Sequence, residues 1–177
     1  MSGFPKRDES NCDAFDTGHS STSLSAGLGM VCARELKKDK YTVVSVIGDG
    51  SLTGGLAFEA LNNAASLKSN YIMILNDNHM SISENVGGLS HYLAGVRTAK
   101  GYTNFKKNVK ASLSKMNAIG EELERNIRRA KSMLKQVFIP GMFFEDMGIT
   151  YLGPIDGHNI EALTEVIEDA KQVEGAV

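Results

Sequence analysis

Two strongly apolar segments constrain the fold of this chain more than any other feature. Residues 41–48 (YTVVSVIG) are rich in β-branched side chains, and residues 70–77 (NYIMILND) are almost entirely apolar until their last positions. Neither segment alternates apolar with polar residues, which is typical of parallel strands that helices cover on both faces. A helical pattern over residues 55–67 separates them, so the sequence predicts a right-handed strand–helix–strand unit.

Further helices are predicted around that unit. Apolar side chains recur every three or four residues over residues 20–38 and 160–173, and Asn159 is a candidate N-cap for the second of these helices. A short helix at residues 142–148 and a strand and turn at 149–159 precede it. We expect one α/β domain over residues 1–177, a parallel β-sheet flanked by helices on both faces, with a helical insert at about 97–138.

Both ends of the chain suggest a piece of a longer protein. The polar residues 1–18 read as extended chain or loop, beginning as though in the middle of a connection. The closing helix points toward a strand that we expect beyond Val177. We therefore expect the predicted module to be truncated.

Composition argues against several classes of function. Hydrophobic residues make up 42% of the chain and no apolar run approaches the length of a membrane span. Residues 100–135 carry ten Lys and Arg against three Glu, but without interleaved aromatic residues this favours a solvated helix face over a nucleic-acid surface. Cys12 and Cys32 fit no metal or redox spacing, as in a reduced cytoplasmic protein. We expect neither a membrane nor nucleic acid as partner.

The first strand runs into a glycine-rich turn, GDGSLTGG, of the kind that binds phosphate on backbone N–H groups. Asp49 between its first two glycines would repel a phosphate. The second strand is followed by Asn78, and parallel strands joined by one crossover place their carboxyl ends side by side at a ligand-binding crevice. Asp49 and Asn78 would then form a pair of hard oxygen ligands, which suits Mg²⁺ or Ca²⁺. A cation that bridges Asp49 to the phosphate removes the conflict.

A second glycine motif, TGHSS at residues 17–21, precedes the first long helix. Gly18 permits close approach of the backbone to a ligand. Ser20 and Ser21 are expected to begin the helix, whose N-terminus would favour an anion. The motif predicts a second contact for a phosphate-bearing cofactor.

Four segments together resemble the 1-deoxy-D-xylulose-5-phosphate synthase family, which is related to transketolase: DTGHSSTSLSAGLGMV, GDGSLTGGLAFEALNNA, ILNDNHMSISENVGGLS and YLGPIDGHN. The resemblance covers essentially the whole chain, more loosely over residues 97–138, which are mobile in the family. It implies the diphosphate-binding (PP-type) module of a homodimeric thiamine-diphosphate transferase. That enzyme condenses pyruvate and glyceraldehyde 3-phosphate with loss of CO₂, for isoprenoid, thiamine and pyridoxal synthesis.

The resemblance also implies the site residues. Mg²⁺ would be bound by the side chains of Asp49 and Asn78 and by the backbone carbonyl of Met80. No catalytic residue is assigned, because the family's catalytic glutamate lies in a following domain, and this segment alone is expected to be inactive. Ser51 stands where many relatives have alanine. Thiamine diphosphate would contact Gly18, His19, Ser20, Gly50, Ser51 and Asn78.

Two alternative functions stay open. A transketolase-like enzyme of other specificity would share these motifs. A nicotinamide-dinucleotide-binding Rossmann domain would use GDGSLTG as its turn and Asp77 as its ribose acid, although the spacing from Gly50 is slightly long. Single residues also have structural alternatives: His19 could bond backbone at a helix start, and Asp49 could cap the next helix. The roles of His79, Glu84 and His158 are left open.

Overall fold

The computed structural model describes residues 2–78, 87–88, 92–93 and 142–177. The predicted insert at about 97–138 lies outside these residues, as do His79, Met80 and Glu84. In chain order the described elements are a single 3-10 turn (Arg7–Glu9), α1 (Ser23–Lys37), β1 (Val44–Gly48), α2 (Asp49–Leu52), α3 (Gly55–Ala64), β2 (Ile72–Asn76), α4 (Met142–Asp146) and α5 (Ile160–Lys171).

The predicted strand–helix–strand unit is confirmed as a parallel pair of strands. β1 and β2 are hydrogen-bonded in a register that pairs Val44 with Ile72 and Gly48 with Asn76. α2 and α3 form the connection between them. The carboxyl ends of the two strands therefore lie side by side, as the site prediction requires.

A third segment extends the sheet at the other edge of β2. Ala176 forms a parallel bridge with Tyr71, and the N–H of Met73 donates to the carbonyl oxygen of Val177 at 2.8 Å. The N–H of Thr150 donates in turn to the carbonyl of Ala176 at 3.0 Å. The expectation that the next strand lies wholly beyond Val177 is wrong, because its pairing begins at the last three residues.

Helices cover both faces of the sheet at β2, which confirms the predicted α/β class. One face belongs to the main core, in which α1 packs on β1 and on α3. On the opposite face, Ile72 and Ile74 pack with Ala170 of α5 and with Val173. β1 differs, because Val44 and Val46, on that second face, are 46% and 57% exposed. Burial of both strands on both faces was predicted; β2 is covered on both faces but only its Ile72 is fully buried, and β1 is open on the second face among the described residues.

The two long helices begin differently from one another. The Asn159 side chain accepts a hydrogen bond from the N–H of Ala162 at 3.1 Å and so caps α5, as predicted. α1 begins at Ser23, and its predicted start at Ser20 is wrong. Ser21 has a φ of 66°. This left-handed conformation cannot belong to a right-handed helix, so residues 20–21 form a turn before α1.

A buried polar network joins α1 to both strands. Tyr71 is completely buried, and its Oη lies 2.8 Å from the carbonyl oxygen of Leu24 and 2.8 Å from Ser45 Oγ. Ser45 Oγ also lies 2.9 Å from the carbonyl oxygen of Ser23. Burial raises the pKa of Tyr71 from 10.0 to about 12, against a smaller lowering by the Ser45 hydroxyl.

Alkaline pH should therefore destabilise the fold between about pH 10 and pH 12. The phenol of the unfolded chain ionises near its ordinary pKa, whereas the folded chain keeps the proton, so stability present below pH 10 falls as pH rises. The loss reaches up to about 3 kcal/mol. Urea unfolding at a series of pH values should show a shallower decline for Tyr71→Phe than for wild type or Tyr41→Phe. An equal decline in all three would contradict this assignment.

Candidate functional site

An open cleft of about 330 Å³ lies at the carboxyl end of β1. Residues 17–23 form one wall, residues 46–48 and Ser51 form another, and Phe4 and Pro5 complete the lining. The two glycine motifs singled out in the sequence therefore meet at one place, although they lie about thirty residues apart in the chain.

The two motifs are in direct contact. Ser21 Oγ donates a hydrogen bond to the carbonyl oxygen of Ser51 at 2.7 Å. This approach requires glycine at position 54, because a Cβ there would lie 2.5 Å from Ser21 Oγ and 2.8 Å from Ser21 Cβ. Any side chain at position 54 would clash with Ser21 at these distances. The contact between the two motifs therefore requires glycine at this position.

Gly54→Ala should open this contact and weaken binding of a ligand that spans both motifs by about five- to tenfold, as expected when a positioning contact is lost. Gly55→Ala is the matched control, since a Cβ at position 55 has no neighbour within 4 Å and the residue begins a helix. Affinity for thiamine diphosphate with Mg²⁺ measures the difference. Equal affinity of the two variants would show that the contact does not matter for binding.

His19 lines the cleft and also bonds to neighbouring backbone. Its Nδ1 lies 2.7 Å from the carbonyl oxygen of Ser20, and its N–H donates to Thr17 Oγ1 at 3.2 Å. Because a carbonyl oxygen only accepts, Nδ1 carries the proton in this arrangement. The backbone contact considered from the sequence is present, and it is compatible with a ligand contact of the exposed ring.

Asp49 is 2% exposed and is the first residue of α2, directly after β1. The register that pairs Gly48 with Asn76 places Asp49 and the exposed Asn78 at the same end of the sheet. Gly50 lies in the same turn of helix as Asp49. Asp49 and Gly50 lie between the lining residues Gly48 and Ser51, and none of Asp49, Gly50 and Asn78 lines the cleft itself.

The donor atoms at this end of the sheet fit a hard divalent cation. One carboxylate and one amide oxygen are the ligand types that Mg²⁺ and Ca²⁺ prefer. Within the described ranges no three His, Cys, Asp or Glu side chains group as they would in a metal site. A site built from Asp49, Asn78 and a backbone carbonyl needs no such group. The metal assignment stays a prediction, because its third ligand, Met80, lies outside the described residues.

The N-terminal segment contributes to the cleft in a way that the sequence did not indicate. Phe4 lines the cleft beside Gly18, with ring atoms 3.8–3.9 Å from where a Gly18 Cβ would lie. Arg7 anchors the segment, since its N–H and its Nε donate to the two carboxylate oxygens of Asp16 at 2.7 and 2.9 Å. The backbone hydrogen bond, followed by the guanidinium, lowers the pKa of the Asp16 carboxyl.

Comparisons with known proteins identify the same family that the sequence motifs resemble. The family model for 1-deoxy-D-xylulose-5-phosphate synthase matches residues 1–177. The 1-deoxy-D-xylulose-5-phosphate synthases of Lachnoclostridium phytofermentans and Clostridium acetobutylicum are each 58% identical to this chain over 177 residues, and that of Alkaliphilus oremlandii is 52% identical. Each match covers 100% of this chain and 28% of the relative.

These matches favour neither the transketolase-like enzyme of other specificity nor the nicotinamide-dinucleotide-binding Rossmann domain. As for membranes, none of the helices in the part of the chain that the structure describes is long and apolar enough to span a bilayer. With the family model matched over every residue, the chain belongs to the 1-deoxy-D-xylulose-5-phosphate synthase family.

Proposed function

We propose that this chain is the diphosphate- and Mg²⁺-binding part of a 1-deoxy-D-xylulose-5-phosphate synthase. The complete enzyme would condense pyruvate and glyceraldehyde 3-phosphate with loss of CO₂. The observation that carries the proposal is the contact between the two glycine motifs, in which Ser21 Oγ bonds the Ser51 carbonyl beside the cleft. Two loops held together at the end of a parallel sheet offer the backbone N–H donors that a diphosphate requires.

The cofactor contacts follow from the position of each motif. Gly18, His19, Ser20 and Ser51 line the cleft and are proposed to contact thiamine diphosphate. Gly50, beside Ser51 in the chain, and Asn78, at the same end of the sheet, are proposed to complete the binding of thiamine diphosphate. When bound, thiamine diphosphate supplies the thiazolium carbanion chemistry, while the protein supplies position and electrostatics.

The metal would resolve the conflict between Asp49 and a phosphate. Asp49, Asn78 and the carbonyl of Met80 are proposed to hold Mg²⁺, which neutralises the diphosphate charge. The position of Asp49 supports this assignment, since it follows β1 directly at the end of the sheet where Asn78 follows β2. Asp49 therefore acts through the metal and not on the reacting carbon atoms.

We further propose that residues 1–177 form one partial domain of a homodimeric cytoplasmic enzyme, with a helical insert at about 97–138. The chain spans 28% of the length of its relatives. Because the resemblance puts the catalytic glutamate in another domain, this segment alone should bind cofactor without turnover. Two free, exposed cysteines, Cys12 and Cys32, are consistent with a reducing compartment.

Turnover by the complete protein that carries this chain tests the proposed function. Release of CO₂ from pyruvate should depend on glyceraldehyde 3-phosphate, thiamine diphosphate and Mg²⁺, whereas the 177-residue chain alone should release none. Pyruvate-independent transfer between sugar phosphates would instead support a transketolase-like enzyme of other specificity. Nicotinamide-dependent oxidation or reduction would support the Rossmann alternative and contradict the proposal.

A further inference from the structure

We infer that Tyr71 is a positioning residue for the cofactor cleft, although it does not line that cleft. The inference rests on the proposed function of the cleft. Tyr71 lies directly before β2 and is completely buried. Its hydroxyl lies 2.8 Å from the carbonyl oxygen of Leu24, in the first turn of α1, and 2.8 Å from Ser45 Oγ of β1. This phenol therefore links the start of β2 to the first turn of α1 and lies against Ser45 of β1.

The connection continues from this hydroxyl pair to the cleft wall. Ser45 Oγ lies 2.9 Å from the carbonyl oxygen of Ser23, which lines the cleft and begins α1. Residues 17–22, the rest of that wall, precede Ser23 directly. The first turn of α1 is thus fixed to the sheet by two side-chain hydroxyls, and the wall follows the position of that turn.

Residues 17–22, which form this wall of the cleft, include a backbone conformation that neighbouring contacts must stabilise. Ser21 has a φ of 66°, which is disfavoured for a residue with a Cβ and persists only where its surroundings hold it. On one side Ser21 is held by its hydrogen bond to Ser51. On the other side it is held by the start of α1, two residues later. Loss of the Tyr71 hydroxyl should release the second constraint while the aromatic packing stays.

The hydroxyl also has a defined direction of donation. Each of the two hydroxyls carries one hydrogen and the two carbonyls can only accept, so Tyr71 donates to the carbonyl of Leu24 and Ser45 donates to that of Ser23. Phenylalanine at this position would fill the same volume and remove the donor. The chemistry of one hydroxyl can therefore be tested apart from the packing of the ring.

Tyr71→Phe should weaken binding of thiamine diphosphate with Mg²⁺ by about three- to tenfold, and amide hydrogen exchange over residues 17–26 should become faster. Exchange in α5 should stay as in wild type. Tyr41→Phe is the matched control. The Tyr41 Oη also donates to a carbonyl of α1, that of Met30 at 3.3 Å, but this contact lies on the protein surface. This variant should keep both quantities within about twofold of wild type.

Exchange is measured without cofactor, so a wild-type chain that binds no thiamine diphosphate would refute cofactor binding by this chain while the exchange data still decide on positioning. Ser45→Ala removes the contact to the Ser23 carbonyl and should also accelerate exchange over residues 17–26, which decides the question if Tyr71→Phe does not fold. Folded variants with lower melting temperatures but unchanged local exchange and affinity would overturn the inference, since a merely structural role predicts that result.

Discussion

Asp49→Ala should abolish Mg²⁺-dependent binding of thiamine diphosphate, with at least about a hundredfold loss of affinity. Asp49 is the only carboxylate among the three proposed metal ligands, and it is 2% exposed at the end of β1. Without it, Asn78 and a backbone carbonyl would have to hold the cation with no negative charge. The diphosphate would then lose both its neutralising ion and its fixed orientation. Calorimetric titration of the folded variant measures the loss.

Two further variants separate charge from shape at this position. Asp49→Asn keeps the volume and one oxygen donor, so it should bind more weakly than wild type but more tightly than Asp49→Ala. Asp39→Asn removes an exposed carboxylate just after α1 and should leave affinity within about twofold of wild type. If Asp49→Ala folds and binds the cofactor like wild type with Mg²⁺, the metal assignment is wrong.

Gly27→Ala should lower the free energy of unfolding by about 2 kcal/mol or more, through overpacking of a buried site. A Cβ at position 27 would lie 2.5 Å from Tyr71 Oη and closer still to Ser45 Oγ. Both oxygens belong to the buried network, so neither can move without breaking a contact to the first turn of α1. This cost exceeds the helix-propensity gain of about 1 kcal/mol that alanine brings over glycine.

Gly29→Ala is the matched control in the same helix. A Cβ there has no neighbour within 4 Å, and the residue is exposed. Only the propensity gain should remain, so this variant should be more stable than wild type by up to about 1 kcal/mol. Urea unfolding of both variants gives the comparison. Equal stabilisation by the two substitutions would show that position 27 has room for a methyl group.

The sheet and its crossover could be predicted from the sequence because their signals are local. A β-branched run that ends at Gly48 and an apolar run before Asn78 define β1 and β2 without knowledge of any distant contact. The N-cap at Asn159 is equally local. The start of α1 was misplaced because Ser20 and Ser21 have good N-cap chemistry. The left-handed conformation of Ser21 accompanies a hydrogen bond to a residue thirty positions away.

The motifs of the candidate site could be predicted from the sequence, but the contacts that hold these motifs in place could not. Gly18 and Ser51 were found because each lies in a recognisable glycine motif, and they do line one cleft. The contact of Tyr71 with Leu24 joins residues that are 47 positions apart and has no local pattern. Phe4 was read as part of a loop, since nothing in its segment indicates that it packs beside Gly18.

Calorimetric titration of thiamine diphosphate into this chain tests directly whether its cleft binds a metal-bridged diphosphate. The cell should contain Mg²⁺ in one run and EDTA in the next, with a nicotinamide dinucleotide as the comparison ligand in a third. We expect saturable binding of thiamine diphosphate at one site with Mg²⁺, no binding with EDTA, and no binding of the dinucleotide. Binding that persists in EDTA, or a chain that binds the dinucleotide and not thiamine diphosphate, would contradict the assignment of this cleft to a metal-bridged diphosphate.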